Sequence, residues 1–248
     1  MNNRIVVGAQ ARESVKFYSH SVTPPAKKQI REVLAMLSAP KQQEIDHLTI
    51  KLVVGLIALS LATLTSFFAN SYITSISASY YEVGWSQSIF IGFLFAIAAF
   101  LLAYNGFSRT DMVLSKLASV AALGVVMFPC GCDNHIENVP YVHWISAATM
   151  FLILVYFCYS FYQRALSKGH PQAKFRAFIY VLCGVAIVVS ILTLAFDNLS
   201  GKILSAKVPR LTFYGEATGL TAFGVSWLTA SRVLPLLTRP DERFSPFK

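Results

Sequence analysis

Long apolar runs separated by short polar stretches dominate this chain. They predict membrane-spanning helices over about 48–73, 89–105, 112–128, 141–162, 175–196 and 211–234, because ~20 apolar residues in helical form cross ~30 Å of hydrocarbon. The fold class that follows is all-α: a polytopic six-helix bundle. In the first run Gly55, Ala58, Ala62, Ser66 and Ala69 share a face, and in the last Gly215, Gly219 and Ser226 do the same. Small residues let helix backbones approach closely in lipid, so these faces predict internal packing or a homo-oligomer.

The first apolar run is preceded by a polar lead, 1–47, with no cleavable signal expected. Within it Pro24 and Pro25 open a segment, about 26–39, in which Ile30, Val33, Leu34 and Leu37 recur at helical spacing until Pro40. An amphipathic helix is expected there. Its Lys27, Lys28 and Arg31 suit either an anionic leaflet or the protein's own cytosolic loops. The membrane domain then occupies 48–236, and 237–248 form a second basic tail.

Composition agrees with the pattern: 55% of the 248 residues are hydrophobic and 13% charged, against about 25% charged in soluble domains. The formal charge of +9 does not point to nucleic acid, because Lys and Arg lie between and outside the apolar runs. Six spans with cytosolic termini put eighteen of the twenty-one Lys and Arg on the inner side, leaving Lys202, Lys207 and Arg210 outside. A bacterial inner membrane is the expected location.

The segments SISASYY, IFIGFLFAIAAFLLAYNG, LASVAALGVVMFP, VHWISAATMFLILVYFCY and GEATGLTAFGVSWL resemble bacterial six-span membrane proteins of the domain-of-unknown-function 998 type. More distantly they are similar to DRAM-type membrane proteins. The resemblance covers roughly 57–228 and places the group's pattern on Ser75, Ser77, His143, Glu216 and Trp227. It implies the six-span architecture and no established activity.

Candidate chemistry centres on FPCGCDNHIENVPYVHW, Phe128 to Trp144, between the third and fourth runs. His143 and Glu216 fall at similar depths near the outer ends of their helices, where an ionisable residue faces a cavity or a partner. Three readings follow. His143 and Glu216 pin two helices together; or, with Ser77, Tyr81, Trp85 and Trp144, they anchor a lipid or small amphipathic ligand in a pocket open to the outer leaflet; or His135, His143, Asp133 and Glu137 hold a divalent metal such as zinc in a hydrolase of a lipid amide or ester. An accessory subunit of a membrane complex is a further alternative. Cys130 and Cys132, one residue apart, are expected to pair with each other only under strain, leaving pairing between molecules or another modification open. Cys158 and Cys183 fill space within the spans.

Overall fold

The computed structural model describes residues 46–132, 135–137 and 139–245. The amphipathic helix expected over 26–39, and Asp133, lie outside the described residues. Six long helices appear: α1 (His47–Phe67), α2 (Trp85–Ala103), α3 (Arg109–Met127), α4 (Val142–Leu166), α5 (Pro171–Leu199) and, after the short α6 (Ile203–Lys207), α7 (Leu211–Ala230). There is no strand among the described residues.

The first five long helices are each long and apolar enough to cross a membrane. This is a multi-pass integral membrane protein. The 20 residues of α7 carry Thr212, Glu216, Thr218 and Thr221 among their apolar positions, which sets α7 apart from those five.

Local chemistry explains where the helices begin. Asp46 caps α1 by accepting from the Leu48 amide at 3.0 Å, and Ser108 caps α3 by accepting from the Asp111 amide at 3.0 Å. His170 caps α5 through Nδ1, with Pro171 in the first turn where no amide is needed. Gly84 opens α2 with φ of 95°, a conformation in which a side chain is strained.

Several boundaries differ from the apolar pattern, and two of them have a clear local cause. The first helix stops at Phe67 rather than near residue 73, because the Glu82 carboxylate captures the Asn70 and Ser71 amides (2.7 and 3.3 Å) and turns the chain. The second begins four residues earlier than hydropathy implies, at Trp85, where the Ser86 hydroxyl donates to Thr65 O at 2.8 Å and ties α2 to α1.

Each long helix packs against the next, and α7 returns to α1 and α5, so the six close into a ring. The close approach of α1 and α7 depends on glycine. A Cβ on Gly224 would stand 2.9 Å from Gly55 O and 3.0 Å from Leu59 N, and one on Gly55 would stand 2.9 Å from Leu228 N. Gly55, on the small-residue face of the first helix, is thus used within the chain, whereas the last helix makes this contact through Gly224, on the side opposite Gly215 and Gly219, which meet Leu194 and Phe151. Trp227, fully buried, fills the ring interior, with its ring centroid 5.2 Å from Tyr104 and Phe223 and 5.6 Å from Phe157.

The ring has two chemically different ends. One, formed by the start of α1 and the 104–108, 167–170 and 231–245 connections, holds most of the described Lys and Arg; we call it the basic end. The other, the loop end, is formed by 68–84, the described residues of 128–141, and 200–210.

Candidate functional site

At the loop end the chain after α1 enters the ring. The sequence pattern reads 74–88 as an interfacial loop, yet Ile73, Ser75, Ile76, Ser77, Ala78 and Ser79 are all buried. The small side chains of Ser-Ile-Ser-Ala-Ser allow this entry. Backbone that is not helical needs partners inside a membrane protein, and here α7 supplies two: the Phe213 amide donates to Thr74 O at 3.0 Å, and Glu216 Oε2 accepts from the Ile76 amide at 2.6 Å. The Ser75 hydroxyl accepts from the Ala78 amide at 3.0 Å, closing a short turn ahead of a 3₁₀ segment, Ser77–Tyr81.

Ser77 joins the two ionisable residues singled out in the sequence. Its Oγ lies 3.2 Å from His143 Nε2 and 3.4 Å from Glu216 Oε1, so the two reach each other through a hydroxyl rather than directly. The reading in which these two residues pin their helices thus takes an indirect form, with the buried loop standing between the helices. His143 is oriented from behind. Helix α3 ends before Pro129 and leaves carbonyls without helical partners, and His143 Nδ1 meets two of them, Val125 O at 3.2 Å and Phe128 O at 2.9 Å.

Proton bookkeeping follows from those partners. Carbonyl oxygens only accept, so Nδ1 carries a hydrogen and donates. With neutral imidazole, Nε2 accepts from Ser77 and a protonated Glu216 donates to the Ser77 oxygen. With imidazolium, Nε2 donates to Ser77, whose hydroxyl donates to the Glu216 carboxylate. The two arrangements hold the same number of protons and differ by one transfer through the serine.

The remaining sequence candidates are distributed around this core. Tyr81 stacks on His135 with centroids 3.6 Å apart, and its hydroxyl donates to Cys130 O at 2.7 Å. Burial raises the Tyr81 phenol above its ordinary range, with Tyr80 and Glu137 adding in the same direction. His135 Nδ1 bonds Cys132 O at 3.0 Å, and Glu137 accepts from the Tyr141 amide at 2.9 Å and the Gly131 amide at 3.4 Å. Trp85 is 71% exposed at the start of α2 and does not join the cluster.

Both ring nitrogens of His143 are engaged by protein groups, and among the described residues no three His, Cys, Asp or Glu side chains converge as a metal site would require. Cys130 and Cys132 are bonded to each other with Cα atoms 5.2 Å apart, a separation within the range a disulfide spans.

Beside the cluster lies a cavity of about 470 Å³, lined by Thr74, Ser75, Cys132 and Trp144 on one side and by Asn198 and Lys202 on the other. Of the expected ligand residues, Trp144 lines it; His143, Ser77 and Glu216 stand behind its wall and hold the buried loop in place. Asn198, in the last turn of α5, and Lys202, in the α5–α6 connection, escape a sequence reading because nothing local marks them. Asp197 beside them is spent on structure, accepting from the Leu204 and Ser205 amides at 2.8 and 2.9 Å. Comparison with family models, curated proteins and solved structures gave no significant match to this chain.

Proposed function

We propose that this chain is a six-span protein of the bacterial inner membrane, both termini cytosolic, that binds a lipid or small amphipathic molecule at its outer, loop end. The observation that carries the reading is the cavity beside the buried loop: indole and apolar surface from Trp144 and Leu194, and polar groups from Thr74, Ser75, Asn198 and Lys202. Polar groups make up more of its lining than apolar ones, Asp197, Ser205 and Thr212 among them, which suits the polar end of an amphipathic molecule, and spaces between the helices of a bundle are common binding places. Orientation follows the charge asymmetry, since the basic end carries the Lys and Arg that favour the cytosol. Native mass spectrometry of the detergent-purified chain tests the proposal. Wild type should retain lipid, and Trp144→Ala together with Asn198→Leu should retain several-fold less; equal retention, or none in wild type, overturns it.

A second reading, hydrolysis of a lipid amide or ester, is favoured by the Ser77–His143 contact. An imidazole fixed through Nδ1 presents Nε2 to a hydroxyl, the arrangement that activates a serine nucleophile. Labelling by a fluorophosphonate lipid analogue, lost in Ser77→Ala, would select it. Its metal-dependent form, with zinc on the candidates His135, His143, Asp133 and Glu137, requires about one ion per chain in the purified protein.

A further inference from the structure

The second cavity of interest is at the opposite, basic end, independent of the site above. Lys51 lies in the second turn of α1 and is 2% exposed. An ammonium inside a span is costly and calls for a partner or a cavity. Aromatic faces surround it, with Nζ 4.8 Å from the Phe107 ring, 5.3 Å from Phe161 and 5.5 Å from Tyr104. Among the described residues no carboxylate lies within ion-pair distance of it.

Lys51 faces a cavity of about 190 Å³ whose lining also includes Arg164, Lys168, Arg176 and Arg232. By the same measure one water needs ~10–15 Å³, so a polyatomic anion fits. Arg176 is 3% exposed, and its Nη1 has no hydrogen-bond partner. Three carboxylates act on these five cations, and of these Asp46, at the start of α1, reaches Lys51 through its charge alone. Asp111 Oδ2 pairs with Arg164 at 3.3 Å; Glu242, from the C-terminal segment, meets Lys168 at 2.6 Å and Arg176 at 3.0 Å, with His170 3.6 Å away. The positive charge is left in excess, and part of it is buried.

We propose that this cavity binds a phosphate group, that of inorganic phosphate or of a lipid headgroup, and that Glu242 occupies part of the place the anion takes. A phosphate offers several oxygens, matching the guanidinium fork of Arg176 and the point charge of Lys51 at once. A single carboxylate reaches only Lys168, Arg176 and His170. Glu242 thus shows how an anion is held there while leaving Lys51 unmatched.

The test uses the full chain in detergent, with thermal unfolding read against inorganic phosphate, and flotation with vesicles of phosphatidylcholine containing phosphatidic acid or of phosphatidylcholine alone. A ligand that binds the folded state raises its melting midpoint. Stabilisation by inorganic phosphate identifies the free anion, and selective flotation with phosphatidic acid identifies the headgroup; either sustains the proposal. Lys51→Met removes a buried charge that has no carboxylate partner, so the variant should fold as well as wild type while its phosphate affinity falls at least tenfold. Glu242→Gln should bind severalfold tighter. Equal binding by wild type and Lys51→Met, or equal stabilisation by chloride at the same ionic strength, overturns the site. Unchanged affinity in Glu242→Gln overturns the role of the tail.

Discussion

The Ser77 hydroxyl stands 3.2 Å from His143 Nε2, and this one contact joins a buried loop to the start of α4. The same oxygen lies 3.4 Å from Glu216 Oε1, so the loop is gripped from α4 and α7 together. Removing the hydroxyl leaves two buried polar groups short of a partner. Ser77→Ala should therefore cost about 1–2 kcal/mol of stability, on the scale of a buried group left unsatisfied. Ser79 is the control: equally buried, its Oγ has no partner, and Ser79→Ala should change stability little. Thermal unfolding in detergent compares them, and equal losses would show that the Ser77 contacts hold nothing.

A methyl group added between α1 and α7 should act more severely. In Gly224→Ala the new Cβ meets the backbone at Gly55 O and Leu59 N, at 2.9 and 3.0 Å, and backbone does not swing aside. The helices must separate, at about 1–3 kcal/mol for overpacking of this kind. Gly92, whose Cβ would meet nothing within 4 Å, tolerates alanine by the same criterion. Size-exclusion profiles after a heating series would distinguish the pair.

Acid should loosen the C-terminal segment. Burial on its own pushes Glu242 upward, but the hydrogen bonds and charges of Lys168 and Arg176 prevail and hold it at about 2, well below its ordinary 4.5. A carboxyl whose folded value is depressed adds stability that is complete above the unfolded value and is lost as pH falls towards the folded one. Proteolysis of the tail should accordingly rise between about pH 4.5 and 2 in wild type. Glu242→Gln should show raised cleavage already at neutral pH, with no further step in that window.

Cysteine labelling has a definite expected pattern. Cys130 and Cys132 are bonded, while Cys158 and Cys183 are free and buried. Denatured, unreduced protein should take up two alkylating groups, at Cys158 and Cys183, and reduced protein four. Four groups without reductant would show that the pair is open.

The residues at the loop end show where sequence reading stops. The length and apolarity of the helices are properties of contiguous residues, as is the clustering of Lys and Arg between them. The all-α membrane class and approximate spans could therefore be read directly. His143 and Glu216 were legible as polar residues out of place in apolar helices, and Gly55 as part of a small-residue face. None of these says what lies between two helices.

The ring closure of α7 on α1 decides the rest. It brings Glu216 to the amide of Ile76, 140 residues earlier in the chain, and so turns a polar loop that looks interfacial into the buried support of the site. It also leaves Lys51, which in sequence is one charge near the start of an apolar run, facing a cavity shared with Arg164, Arg176 and Arg232. Spacing along a helix determines which face a residue shares, because that periodicity is local. Which groups meet across the ring depends on packing over the whole chain, and only the tertiary structure holds that information.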